Sequence, residues 1–76
     1  MPTDVLEMWT LYDHPRDHPG KFVARKFDVG EGISQATGET LLADTLQALR
    51  AEMLARGLVC LSRDPNDDPV IIETWI

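Results

Sequence analysis

Apolar positions at helical spacing dominate one stretch of the chain, Thr40 to Gly57, which reads TLLADTLQALRAEMLARG. Leu42, Leu46, Leu49 and Met53 recur at intervals of four, three and four, which on a helix stacks them into one stripe. Asp44, Gln47 and Ala51 fall on the opposite side. The stretch is built mostly from residues that lose little entropy in a helix. The pattern predicts a helix from about Thr40 to Arg56, capped at its start by Thr37 or Thr40. Arg56 suits the negative end of the helix dipole. Gly57 suits a left-handed cap, with Leu58 packing back on Met53.

The rest of the chain follows a period of two. Val5 to Tyr12 (VLEMWTLY) and Lys21 to Val29 (KFVARKFDV) read as strands, rich in aliphatic and aromatic residues. In the second of these Phe22 and Ala24 share one face, and Val23, Phe27 and Val29 the other. Between the two strands, Asp13 to Gly20 (DHPRDHPG) is a loop, because each proline fixes φ, removes a donor and drives the preceding His out of helical space. Gly30-Glu31-Gly32 marks a turn, and Ile33 to Gly38 leads on as a short extension of the sheet. After the helix come a third strand, Leu58 to Arg63, a turn at Asp64 to Pro69, and a fourth strand, Val70 to Ile76.

The element order is therefore β-β-α-β-β in one α+β domain over residues 1–76. A four-stranded sheet with the helix laid across one face is the simplest arrangement. A usual crossover would set the first and last strands side by side, parallel and central, as in β-grasp folds.

In the last strand, Val70, Ile72, Thr74 and Ile76 alternate with Ile71, Glu73 and Trp75. A charge beneath an apolar stripe is costly. Glu73 is thus expected on the open face with Ile71 and Trp75, while Val70, Ile72 and Ile76 meet the helix. Several strands carry large side chains on both faces and one helix covers only one of them. This predicts a protein-binding or oligomerisation module, with Ile71, Trp75 and Phe22 as contact residues and a protein partner or homodimer as the occupant.

Composition changes this picture little. The 76 residues are 43% hydrophobic and 26% charged, ordinary for a globular domain. A chain of this size buries only roughly 60% of its unfolded surface. The net charge is −6, from thirteen acids against seven bases. Four of those bases, Arg16, Lys21, Arg25 and Lys26, fall in one segment. Interleaved with Tyr12, Phe22 and Phe27, the 16–26 segment offers a nucleic-acid reading. The acidic whole disfavours it, as does the strand alternation that sends Arg25 and Lys26 to opposite faces. No apolar run reaches the ~20 residues of a membrane span. The start Met1-Pro2-Thr3-Asp4 is unlike a signal peptide, and a cytoplasmic location is expected.

Candidate chemistry is sparse. His14 and His18, with Asp13 and Asp17, invite a metal-dependent or acid–base reading, but Pro15 and Pro19 forbid the helix that would align the two rings, and ligands are few. A solvated pair of turns is the favoured reading, with no metal or cofactor. Gly30-Glu31-Gly32 lacks the residues of a phosphate loop. Asp64, Asp67 and Asp68 lack calcium-loop spacing. Cys60 reads as a small buried hydrophobe, and a single cysteine fits a reducing compartment. No catalytic signature is present.

YDHPRDHPGKFVARKF near the start and NDDPVIIETWI at the end resemble segments of small uncharacterised bacterial proteins of about this length. The resemblance implies a bacterial intracellular protein and carries no activity with it.

Overall fold

The computed structural model describes residues 6–30, 32–61, 66 and 69–76. Val5, Glu31, Ser62 to Pro65, Asp67 and Asp68 lie outside the described residues. The expected beginning of the first strand, the middle of the Gly-Glu-Gly turn, the end of the third strand and the three aspartates of the last turn fall there.

Among the described residues five strands and one helix follow in order: β1 (Leu6–Asp13), β2 (Phe22–Gly30), β3 (Ile33–Ala43), α1 (Leu46–Ala55), β4 (Cys60–Leu61) and β5 (Ile71–Trp75). They form one sheet in the order β3-β2-β1-β5-β4, with every neighbouring pair antiparallel. The α+β class and the single helix agree with the sequence reading, and β1 and β5 are indeed neighbours. The count and the polarity differ. Ile33 to Ala43 is a full edge strand, not a short extension running into a helix. One extra antiparallel strand reverses the chain direction at the helix entry. The last strand therefore meets β1 antiparallel, and the parallel, β-grasp-like pairing does not form.

Residues 40–43 were the ambiguous ones. Thr40, Leu41, Leu42 and Ala43 fit either period, and pairing with Arg25, Ala24, Val23 and Phe22 decides for strand. The helix begins only after Asp44, where Thr45 is the N-cap. Its extended backbone (φ −132, ψ 149) sets its hydroxyl oxygen to accept from the Ala48 N–H at 3.2 Å. The other end fits the expectation. Gly57 has φ +77, Gly57 N–H donates to the Leu54 carbonyl, and Leu58 N–H donates to the Met53 carbonyl at 3.1 Å. These two bonds are a Schellman cap, and Leu58 packs against the core beside it.

The core lies between α1 and one sheet face. Trp9, Leu11, Ala24, Leu49, Met53 and Trp75 form it, flanked by Phe22, Leu41, Ala43, Leu46, Leu58 and Ile72. Leu49 and Met53 of the predicted stripe are fully buried, and Leu46 borders them. Leu42 belongs to the sheet instead.

Trp75 lies in this core at 5% exposure, not on the open face, and Phe22 packs along its border. Glu73 is on the helix side too, at 6% exposure. It is tolerated there because it is not alone. Arg50 of α1 reaches down to it with two N–H groups, Nε to Oε2 at 3.0 Å and Nη2 to Oε1 at 2.7 Å. Trp75 Nε1 adds a third bond at 2.7 Å. A β-bulge completes the rearrangement: Leu11 pairs with Glu73 but Tyr12 pairs with Ile71, so Ile72 is the extra residue. Simple alternation fails there. Ile72 turns to the core, and Ile71 shares the opposite face with Tyr12.

Candidate functional site

Directly paired residues of a sheet share a face, so the register maps the side that α1 leaves uncovered. Leu42, Val23, Tyr12 and Ile71 make one row across four strands. Thr40, Arg25, Thr10, Thr74 and Leu61 make the next. Ala36, Phe27 and Met8 follow, then Ser34, Val29 and Leu6. Arg25 is the one charged residue of these rows. Acids and bases sit on the helix side by the same register, where Glu7 faces Asp28, and Lys26 faces Trp9.

This face is apolar and open at its borders. Leu42 is 50% exposed on the β3 edge, Leu61 43% on the β4 edge, and Leu6 51% at the end of β1. Its centre is closed by its own side chains. Val23 is buried, and the Arg25 guanidinium lies 5.4 Å from the centre of the Tyr12 ring, a cation–π contact. Asp17 of the β1–β2 loop neutralises Arg25 through Nη2. Arg25 Nε is buried, with no hydrogen-bond partner among the described residues.

An irregularity in β3 cuts a groove into the same face. Between the pairs Arg25–Thr40 and Phe27–Ala36, residues 37–39 stand opposite Lys26 alone. Gly38 takes φ +86, which allows the chain to turn out and back. The Thr37 hydroxyl donates to the Lys26 carbonyl at 3.4 Å and accepts from Glu39 N–H at 3.2 Å. The resulting groove of about 260 Å³ is lined by Tyr12, Arg25, Lys26, Phe27, Gly38 and Thr40 among others.

Three of the four bases of the 16–26 segment already have carboxylates: Lys21 pairs with Asp44, Arg25 with Asp17, and Lys26 with Glu39 at 3.7 Å. Lys21 holds the Asp44 carboxyl below its ordinary range by hydrogen bonding and charge. The positive cluster of the sequence is locally neutralised in space.

In the Asp-His-Pro loop each histidine stands beside the aspartate that precedes it. His14 pairs with its neighbour Asp13 and stacks at a tilt on Phe22, with ring centres 4.7 Å apart. His18 stands 3.9 Å from its own neighbour Asp17. His14 takes φ +48, and Pro15 is buried. Among the described residues, no three His, Cys, Asp or Glu side chains converge.

Cys60 is exposed rather than buried, on a two-residue edge strand opposite Trp75. Local desolvation, and next the Glu73 charge, push its thiol upward, away from the reactive thiolate. No helix among the described residues is long and apolar enough to cross a membrane.

Of the contact residues expected from the sequence, Ile71 alone has the open face. Met8, Tyr12, Leu42 and Leu61 share that face, which alternation within each strand does not by itself predict. The helical spacing assigns Leu42 to the stripe of α1. The signal that could have separated it is Asp44-Thr45, a better helix start than Thr37 or Thr40, with a Thr-rich, strand-prone run before it.

No protein-family model, no curated protein and no solved structure matches this chain.

Proposed function

We propose that the protein is a non-enzymatic binding module that docks a polypeptide on the sheet face opposite α1. The observation that carries this reading is the composition of that face: its rows are apolar or hydroxyl-bearing apart from the neutralised Arg25, and three leucines on its borders stand about half exposed. Scattered exposed leucines need no explanation, but apolar rows spanning a sheet are surface that folded monomers rarely leave uncovered. The side chains exposed there are rigid or branched, so little entropy is lost when a partner covers them.

A photo-crosslinking residue placed at Leu42 or Leu61 tests this in cells. Polypeptide adducts are expected from both positions. The control is Leu54, an exposed leucine on α1, away from this face. Adducts from Leu54 and none from the two sheet positions would refute the reading.

A second reading has one observation in its favour: Tyr12, Arg25, Lys26 and Phe27 meet at one groove, an aromatic and basic lining of the kind that takes single-stranded nucleic acid. The carboxylates already paired with both bases weigh against it. Oligonucleotide retardation that fades steeply with salt would favour it.

A further inference from the structure

We infer that the occupant of the open face is a second copy of this chain, packed face to face about a two-fold axis so that two sheets lie inside and two helices outside. This rests on the docking reading above and goes beyond it by naming the partner.

Three observations carry it. The first is charge. Each chain carries a net −6, yet the charges at the open face cancel: Arg25 is paired with Asp17, and in the groove Lys26 is paired with Glu39. A symmetric contact sets one patch against itself, so any net charge on the patch would be repelled by its own copy. A face without net charge in a strongly acidic chain meets that condition. It offers no pattern by which a basic partner could be steered.

The second is size. Five strands spaced about 4.8 Å apart span about 19 Å between the outer strand axes, or about 24 Å with the outer strands' own widths, and a strand of eight residues such as β1 runs about 26 Å. Because β4 and β5 are shorter, the face measures roughly 500 Å² in projection, or about 1,000 Å² over two copies. That is the lower bound of a specific interface and implies a reversible dimer.

The third is the shape of the core. The helix seals one side of the sheet over the main buried cluster, whereas on the other side Val23 and Thr10 are buried but their neighbours Tyr12, Ile71, Phe27 and Met8 are only half-buried and Leu42 is exposed. A second sheet would complete the burial of Leu42, Tyr12, Ile71, Phe27 and Met8 around Val23, by the aligned packing common to sandwiches. Small domains gain from such additions because their own core is limited.

Sedimentation equilibrium over a wide concentration range, at low and at high salt, tests the inference. The mass is expected to rise with concentration from 8.5 kDa towards twice that value. Added salt is expected to strengthen the dimer, because it screens repulsion between two acidic chains whose contact is uncharged. Leu42→Glu and Leu61→Glu, on opposite edges of the face, should each weaken association at least about tenfold, with helical circular dichroism retained. Leu54→Glu should leave it unchanged. A single-chain mass at every concentration overturns the inference, and so does a dimer that survives both sheet variants. If the mass stays single while crosslinks from Leu42 and Leu61 persist in cells, the second copy is excluded and the docking reading stands. If crosslinks and dimer are both absent, both fall.

Discussion

Trp9 and Trp75 face one another across the β1–β5 pair, and each donates its indole N–H to the glutamate two residues before it in its own strand. Because the strands are antiparallel, Glu7 and Glu73 flank the tryptophan pair at opposite ends. Each is bound by an arginine of the α1 region. Arg50 grips Glu73, while Arg56 reaches Glu7 at 3.3 Å and lies 4.8 Å from the centre of the Trp9 ring. Two Glu-x-Trp segments and two arginines thus tie the helix to the centre of the sheet. α1 covers that face of the sheet, and the proposed contact lies on the opposite one.

Arg50 is expected to matter more than an ordinary surface arginine. Arg50→Ala strands a buried carboxylate and should destabilise by roughly 2 kcal/mol, in the range of hydrogen bonds to charged groups. Glu73→Gln keeps an acceptor for Trp75 and should cost less. A double-mutant cycle by urea unfolding reads the coupling, and a value near zero would deny the pair its role.

The same pair predicts an acid limit. Arg50 holds the Glu73 carboxyl below its ordinary range, against the opposing effect of burial and with help from the Trp75 indole. A carboxylate depressed in the fold stabilises it above the unfolded value of about 4.3 and loses that contribution as pH falls through the folded value. Stability should therefore be insensitive to Glu73 from pH 7 to about 5 and fall below about 4. Arg50→Ala should flatten the fall. Asp44 shifts in the same direction, but it is exposed and salt should screen its share. Wild-type and Arg50→Ala curves that coincide across the acid range in high salt would contradict this.

The cap at Gly57 and the stripe of α1 give a third expectation. A Cβ at Gly57 would meet nothing within 4 Å, so the penalty for a side chain there is the left-handed backbone itself. Gly57→Ala should cost about 1 kcal/mol and Gly57→Val more. Leu49→Ala should cost roughly 2–5 kcal/mol by leaving a cavity, and Leu42→Ala far less in the monomer. Thermal unfolding of the dilute protein orders the four variants. Equal losses for Leu42→Ala and Leu49→Ala would return Leu42 to the core.

The residues that were legible in the sequence are those whose local signal had no rival. Gly57 and Leu58 end a helix, Leu49 and Met53 can only be core, and the Asp-His-Pro loop can only be loop. Leu42 falls into the helical pattern because Thr40 to Ala43 satisfies both periods, and the partner that decides, Phe22 to Arg25, is distant in sequence. That one shift added a strand and reversed the β5 polarity. Glu73 and Trp75 lie on the face opposite to the one their sequence pattern predicts, for two reasons. A bulge at Ile72 breaks the alternation, and a partner on another element, Arg50, removes the penalty of burying a charge. Neither is local information. The open face became legible only through register.

The most direct test asks which surface becomes covered when the protein associates. Methyl signals of Met8, Leu42, Leu61 and Leu54 can be followed by NMR with a paramagnetic cosolute in dilute and concentrated solution. Protection of Met8, Leu42 and Leu61 with concentration is predicted, with Leu54 accessible throughout and no protection in Leu42→Glu. Protection confined to Leu54, or sheet-face methyls that stay accessible while the protein dimerises, would contradict the account.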